Sequence, residues 1–168
     1  CAGIRRTELA GLQLFVDVSS LVRHDPKQGT QRVVRNILRE LLQDHSLGYR
    51  VEPVYSDFDS ECFRYARTFT NHFISLPSLY LSDDAVEASP GDIYLGLDSC
   101  HSVAEQEISR QWLQYWRGRG VRICQVVYDL LPIALPDCFP AGEIAHYNNW
   151  LKAISRISDC IACTSQAI

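Results

Sequence analysis

A chain of 168 residues, 46% of them apolar and 21% charged, has the composition of one globular domain with a sizeable core. Its net charge of −4 argues against a general nucleic-acid binder, which carries a basic excess. The apolar runs are strand-sized and fall short of the roughly 20 residues a membrane helix needs. No charged segment leading into an apolar one marks a signal peptide.

In chain order, Leu12-Gln-Leu-Phe-Val-Asp-Val18 reads as the first strand, rich in residues that suit a buried pleated surface. A polar loop is expected from Ser19 to Thr30, holding Pro26 and Gly29. Val33, Val34, Ile37, Leu38, Leu41 and Leu42 then recur at helical spacing. Gly48 is placed to end that helix, and residues 49–55 resume as a strand. Pro53 within it predicts an edge position or a strand end. Residues 56–90 carry little pattern; 63–69 and 72–76 each read as a short strand, or the whole stretch as an elaborated loop.

Ser89-Pro-Gly91 is a turn, followed by a strand over residues 92–98. Ser102 and Glu105 form a capping-box pattern. It opens a helix whose apolar face includes Ile108, Trp112, Leu113 and Trp116. Gly118 and Gly120 close it, and a strand runs to Val127. Beyond a proline-broken loop, Ile144, Tyr147, Leu151, Ile154 and Ile157 mark another amphipathic helix, with Tyr147 and Trp150 expected inside. Cys160-Ile-Ala-Cys-Thr164 is the last strand. Alternating strand and helix predicts an α/β fold: a mostly parallel sheet with helices on both faces and right-handed crossovers.

The seven cysteines cannot all pair with one another. Cys160-x-x-Cys163 has the spacing of a redox or zinc pair. Residues three apart on a strand point to opposite faces, however, so Cys124, Cys160 and Cys163 are expected to pack as small buried hydrophobes. That usage fits a reducing cytoplasm. The chain has no methionine, opens on Cys1 and closes on Ser165-Gln-Ala-Ile168, which reads as the first turn of an unfinished helix. We therefore expect a piece of a longer protein, with residues 1–168 forming a single domain.

In a parallel sheet, ligands bind beyond the carboxyl ends of the strands. Three strand ends should meet on one rim, delivering Asp17 and the loop to Gly29-Thr30-Gln31-Arg32, then Asp98 with Ser99 and His101, then Tyr128 and Asp129. Gly29 and Thr30 open a helix, where free N–H groups and the dipole favour an anion. Arg32 in the first turn is electrostatically misplaced unless a phosphate or carboxylate offsets it. The alternative is a solvated face of Arg32, Arg35 and Arg39. Asp98 suits sugar hydroxyls, since a carboxylate accepts up to about four hydrogen bonds; it also suits a turn. His101 is a ligand contact or idle. Asp129 stands where chemistry is done, or caps a turn. The remaining histidines show no metal-ligand spacing, and neither a P-loop nor a nucleophile elbow is present.

Five segments occur in order: Leu14-Phe-Val-Asp-Val-Ser-Ser-Leu21, Gly29-Thr-Gln-Arg-Val-Val-Arg-Asn36, Gly91-Asp-Ile-Tyr-Leu-Gly-Leu-Asp98, Val127-Tyr-Asp-Leu-Leu-Pro132 and Cys163-Thr-Ser-Gln-Ala167. Together they resemble the amino-terminal half of family 4 glycosyltransferases of the GT-B fold, above all bacterial mannosyl- and rhamnosyltransferases that build surface polysaccharides. The resemblance implies a Rossmann-like, doubly wound domain on the acceptor side of a cleft. The nucleotide-sugar domain would be a missing carboxyl-terminal partner. It further implies transfer of a hexose with retention, from a nucleotide-sugar co-substrate to a glycan or lipid-linked acceptor, with no metal and no other cofactor. The location implied is cytoplasmic, with room for peripheral association with the inner membrane. Gly29, Thr30, Gln31 and Arg32 would lie near the donor's diphosphate. Asp129 carries over as the catalytic residue, whereas Tyr128 replaces a histidine frequent in the family. Asp98, Tyr128 and His101 would line the acceptor and sugar. Thr164-Ser165 would lie at the crossover between domains. The piece alone is expected to be inactive. Two other readings stand beside this one. One is a degenerate, non-catalytic binding module of a polysaccharide-assembly protein; the other is an unrelated doubly wound protein.

Overall fold

The computed structural model describes residues 11–23, 29–57, 59, 61–76, 81–97 and 103–163, the side chains of 103–109 excepted. Six strands, β1 (Gln13–Asp17), β2 (Arg50–Asp57), β3 (Cys62–Tyr65), β4 (Ile93–Gly96), β5 (Arg122–Val127) and β6 (Cys160–Cys163), form one sheet in the order β3-β2-β1-β4-β5-β6. All neighbouring pairs are parallel except β2 with β3. The helices are α1 (Ser19–Arg23), α2 (Thr30–Gln43), α3 (Arg67–Phe73), α4 (Val103–Gly118), α5 (Leu131–Ala134) and α6 (Ala141–Ile157), with a 3-10 turn at Pro136–Cys138. The fold is α/β and Rossmann-like, a mostly parallel sheet with helices on both faces, as the alternation of elements predicts.

Period-2 alternation sorts the strand residues between two cores. On one face, Phe15, Tyr94 and Ile123 pack against Leu113 and Trp116 of α4 and Ile157 of α6. The Trp116 ring lies 5.5 Å from that of Phe15 and 5.0 Å from that of Phe63. On the other face, Leu14, Val16 and Val126 pack against Leu21 of α1 and Val34 and Leu38 of α2. No described helix is long and apolar enough to cross a membrane.

Four local expectations are corrected. Residues 19–23 form a helix rather than loop, because the Asp17 carboxylate accepts the Ser19 N–H at 2.9 Å and Leu21 is buried. The stretch 72–76 is not a strand. Residues 67–73 are helical, with Phe69 stacked on Phe73, and Ser75 just beyond has φ 57°. Of the stretch 63–69, residues 63–65 belong to β3 and 67–69 to α3. Pro53 lies within β2, which is flanked on both sides. Ala66 donates to its carbonyl at 2.8 Å, and proline has no N–H to return, so the β2–β3 ladder stops there.

The fourth correction concerns thiols. Cys160 and Cys163 are exposed, not core, because β6 is the last strand of the sheet among the described residues. Cys124 is half-buried and pairs in register with Cys160. Burial, with a smaller contribution from Cys160, pushes the Cys124 thiol above its ordinary range. Since the thiolate is the nucleophile, iodoacetamide near neutral pH should alkylate Cys138, Cys160 and Cys163 well before Cys124. Peptide mass mapping over a labelling time course checks this; first labelling at Cys124 would contradict it.

Candidate functional site

The chain leaves β1 toward β2 on one side and, later, leaves β4 toward β5 on the other. Strand order therefore reverses between β1 and β4, and the carboxyl ends of these strands flank the crevice where doubly wound proteins bind ligands. The parallel register brings the ends of β1, β4 and β5 to one edge of the sheet. The last residues of β1 and β4, Asp17 and Gly96, stand side by side, and Gln125 of β5 is next in the same row.

Asp17 is fully buried. One carboxylate oxygen accepts the Ser19 backbone N–H and, at 2.6 Å, the Ser19 hydroxyl. The other accepts the Tyr94 hydroxyl at 2.5 Å. The Ser19 oxygen also accepts the Ser56 N–H at 3.0 Å, and Arg23 donates to the Ser56 hydroxyl at 2.9 Å and to its carbonyl. Asp17 thus acts as a structural clamp that ties α1, β2 and β4 to the end of β1. Burying a carboxylate is costly unless it is hydrogen-bonded in this way.

Beyond the clamp, Gly29 immediately precedes α2 with φ 63° and ψ −139°, and no side chain caps the helix. The first turn contains no acidic residue, and the Arg32 N–H reaches the Gly29 carbonyl at 3.1 Å. Thr30 and Arg32 are exposed. Gln31 is turned inward, and its amide donates to Ser20 at 3.3 Å, which joins α2 to α1. The exposed end of α2, with Arg32 in its first turn, can receive an anion.

At the end of β5, Tyr128 is half-buried, and its ring packs with the core under α2. Asp129 is exposed. It does cap a turn, accepting the Leu131 N–H at 3.0 Å, and Tyr147 of α6 donates to its carbonyl. Capping and rim exposure coexist, and its second carboxylate oxygen is not engaged in that turn. Leu130, Leu131, Ile133 and Leu135 are exposed around it. Asp98, His101 and Thr164-Ser165 lie outside the described residues. Among the described residues, no group of three or more His, Cys, Asp or Glu could hold a metal ion.

Two residues that sequence reasoning passed over belong to this edge. Gln125 is 6% exposed, and its amide occupies the space beside Gly96 where a side chain would begin. A Cβ on Gly96 would stand 2.0 Å from the Gln125 oxygen. A glutamine inside the apolar run Ile123-Cys-Gln-Val-Val127, with a glycine opposite, was the legible signal. Tyr94 is the other omission; its place in an apolar strand made it look like simple core.

No protein-family profile matches the chain. Three proteins named serotype-specific mannosyltransferase WbdA, from Escherichia coli, are similar to it. One is 33% identical over 156 residues and two are 32% identical over 157 residues. In each case the match covers 93% of this chain and 18% of the relative, so the chain spans under a fifth of their length.

The clamp yields a direct expectation. Tyr94→Phe keeps the ring but removes a hydrogen bond to a buried carboxylate, which should lower stability by about 1.5–3 kcal/mol. Urea unfolding of the purified protein measures it, and an unchanged midpoint would show that the carboxylate is satisfied without the tyrosine.

Proposed function

We propose that this chain is the amino-terminal, acceptor-side domain of a glycosyltransferase that moves a hexose, mannose by analogy with the named relatives, in the assembly of a surface polysaccharide. The observation that carries the reading is a convergence. A segment similar to mannosyltransferases folds so that an anion-ready helix end and an exposed acid share one sheet edge. The remaining ligands would come from a carboxyl-terminal nucleotide-sugar domain in the GT-B arrangement, which makes the isolated segment incompetent for transfer.

The chemistry proposed is electrostatic rather than covalent. The helix end at Gly29 and Thr30, with Arg32, faces the donor's diphosphate and stabilises negative charge as the sugar departs. Gln31 belongs to the same end and ties it to α1 through Ser20. Asp129 lies beside the transferred sugar, and its turn with Leu131 fixes the carboxylate's position. Asp98 and His101 complete the acceptor side, and Tyr128 supports the wall beneath Asp129. Transfer proceeds with retention and without a metal, and closure of the two domains keeps water from hydrolysing the donor. The site faces the cytoplasm, where nucleotide sugars are made, and a lipid-linked acceptor would draw the protein to the inner membrane.

Asp129→Asn separates the two roles of that residue. The amide oxygen still caps Leu131, so the fold should stand, while the charge is lost. In the full-length protein, with nucleotide-mannose donor and mannoside acceptor, turnover should fall well over tenfold, by at least about 1.4 kcal/mol of barrier. A rate near that of the unaltered enzyme would remove Asp129 from the chemistry. Activity abolished together with the melting transition would show that capping is its only role.

A further inference from the structure

We propose that α4 carries a second carbohydrate site, an aromatic hollow at Gln111, Trp112 and Tyr115 that grips the acceptor glycan away from the point of transfer. The inference rests on the sugar-transfer reading above but concerns residues which that reading does not use.

Three observations carry it. First, among the described residues Gln111, Trp112 and Tyr115 line an open hollow of about 310 Å³. That volume lies within the range of roughly 300–1,000 Å³ of small-ligand pockets. Second, the Trp112 and Tyr115 rings stand at 90° to each other with centroids 5.6 Å apart, so they form a corner. Tyr115 is 53% exposed. A single exposed aromatic is ordinary on a protein surface, whereas two built into a concave corner have the shape of a binding site. Third, both rings are held in place before any ligand arrives. Trp112 packs 6.1 Å from Trp116 of the core, and its indole N–H donates to the Glu61 carbonyl at 2.6 Å. The Tyr115 hydroxyl accepts from Arg119 at 3.1 Å, and that guanidinium lies 5.5 Å from the ring centroid. Rings fixed in this way lose little freedom on binding.

The chemistry of the lining selects the ligand. A pyranose presents C–H groups on its flat face and hydroxyls around its edge. The C–H face packs on an aromatic ring, where weak contacts to the π-system add to the burial. The hydroxyls match the Gln111 amide, which offers both an acceptor oxygen and a donor nitrogen. None of the three lining side chains is ionisable at neutral pH except as a neutral phenol, so the hollow suits an uncharged glycan and not the donor's diphosphate. A purely apolar partner would bury the amide against carbon. Position completes the argument. The helix begins at Val103, shortly after β4 ends at the rim. Gln111 to Tyr115 lie about 12–18 Å further along it, at roughly 1.5 Å per residue. A monosaccharide cannot reach both rim and hollow, whereas a chain of several units can. Its second contact would raise the effective concentration of the acceptor end at the rim.

The test uses the full-length protein with nucleotide-mannose donor and two acceptors, a methyl mannoside and a linear mannose hexasaccharide. Tyr115→Ala should raise the KM for the hexasaccharide roughly tenfold, as expected for loss of an aromatic contact. Turnover, the KM for methyl mannoside and the melting temperature should stay unchanged. Gln111→Ala should move the same KM in the same direction, and Tyr115→Phe, which keeps the ring, should behave as the unaltered enzyme. Calorimetric titration of the hexasaccharide without donor should show the same loss of affinity in Tyr115→Ala. Should that variant fail to fold, Gln111→Ala carries the comparison. Unchanged KM and affinity for the hexasaccharide in folded variants overturn the inference alone. An equal loss for methyl mannoside also overturns it, since the contact would then belong to the rim. Absence of donor consumption by the unaltered protein with either acceptor overturns the sugar-transfer reading instead, and the titration still reads the hollow.

Discussion

The organising constraint in this domain is the buried carboxylate of Asp17. It ends the central strand, has no access to water, and is satisfied by Ser19 and Tyr94. Because Ser19 also receives the Ser56 N–H, three strands and the first helix share one polar knot. An acid in that position cannot slide by one register step without losing its partners and exposing the core face of β1. The geometry of the rim above it follows. The residues beside Asp17 in the row, Gly96 and Gln125, hold their relation to it.

Around this knot the two cores divide the work. The aromatic cluster of Phe15, Phe63, Tyr94 and Trp116 holds α4 against one face. The aliphatic cluster of Val16, Leu21, Val34 and Leu38 holds α1 and α2 against the other. The helix α2 is thus seated by the apolar burial of Val34 and Leu38. Thr30 and Arg32 of its first turn stay exposed, while Gln31 packs inward. Arg32 in the first turn of α2 is tolerable on these terms, since stability comes from Val34 and Leu38 further along.

Much of this was legible in the sequence. Hydrophobic periodicity located β1, α2, β4, α4, β5, α6 and β6, because each carries a full period of apolar residues on at least one face. Their alternation dictated the sheet. The misreadings have physical causes. The helix at 19–23 is too short for periodicity and exists because a side chain two residues upstream caps it. The antiparallel strand β3 and helix α3 share a short segment with mixed patterns, and only the tertiary contact of Ala66 with Pro53 fixes where one ends and the other begins. Cys160 and Cys163 read as core because apolar strands usually are, whereas edge position is a property of the whole sheet. The places of Gly29 before α2 and of Asp129 after β5 were legible from residue type and strand ends. The place of Gln125 was not, because it depends on a glycine in a neighbouring strand that no local window contains.

The central claim is that donor and acceptor meet along the edge formed by the ends of β1, β4 and β5. Hydrogen–deuterium exchange on the full-length protein, with and without a nucleotide-mannose donor and a methyl mannoside, tests it most directly. The account predicts ligand-dependent protection of the segments 29–32 and 127–131, with the far ends of the same strands unaffected. Protection confined to the opposite edge of the sheet, or absent from this domain while the ligands are bound, would contradict it.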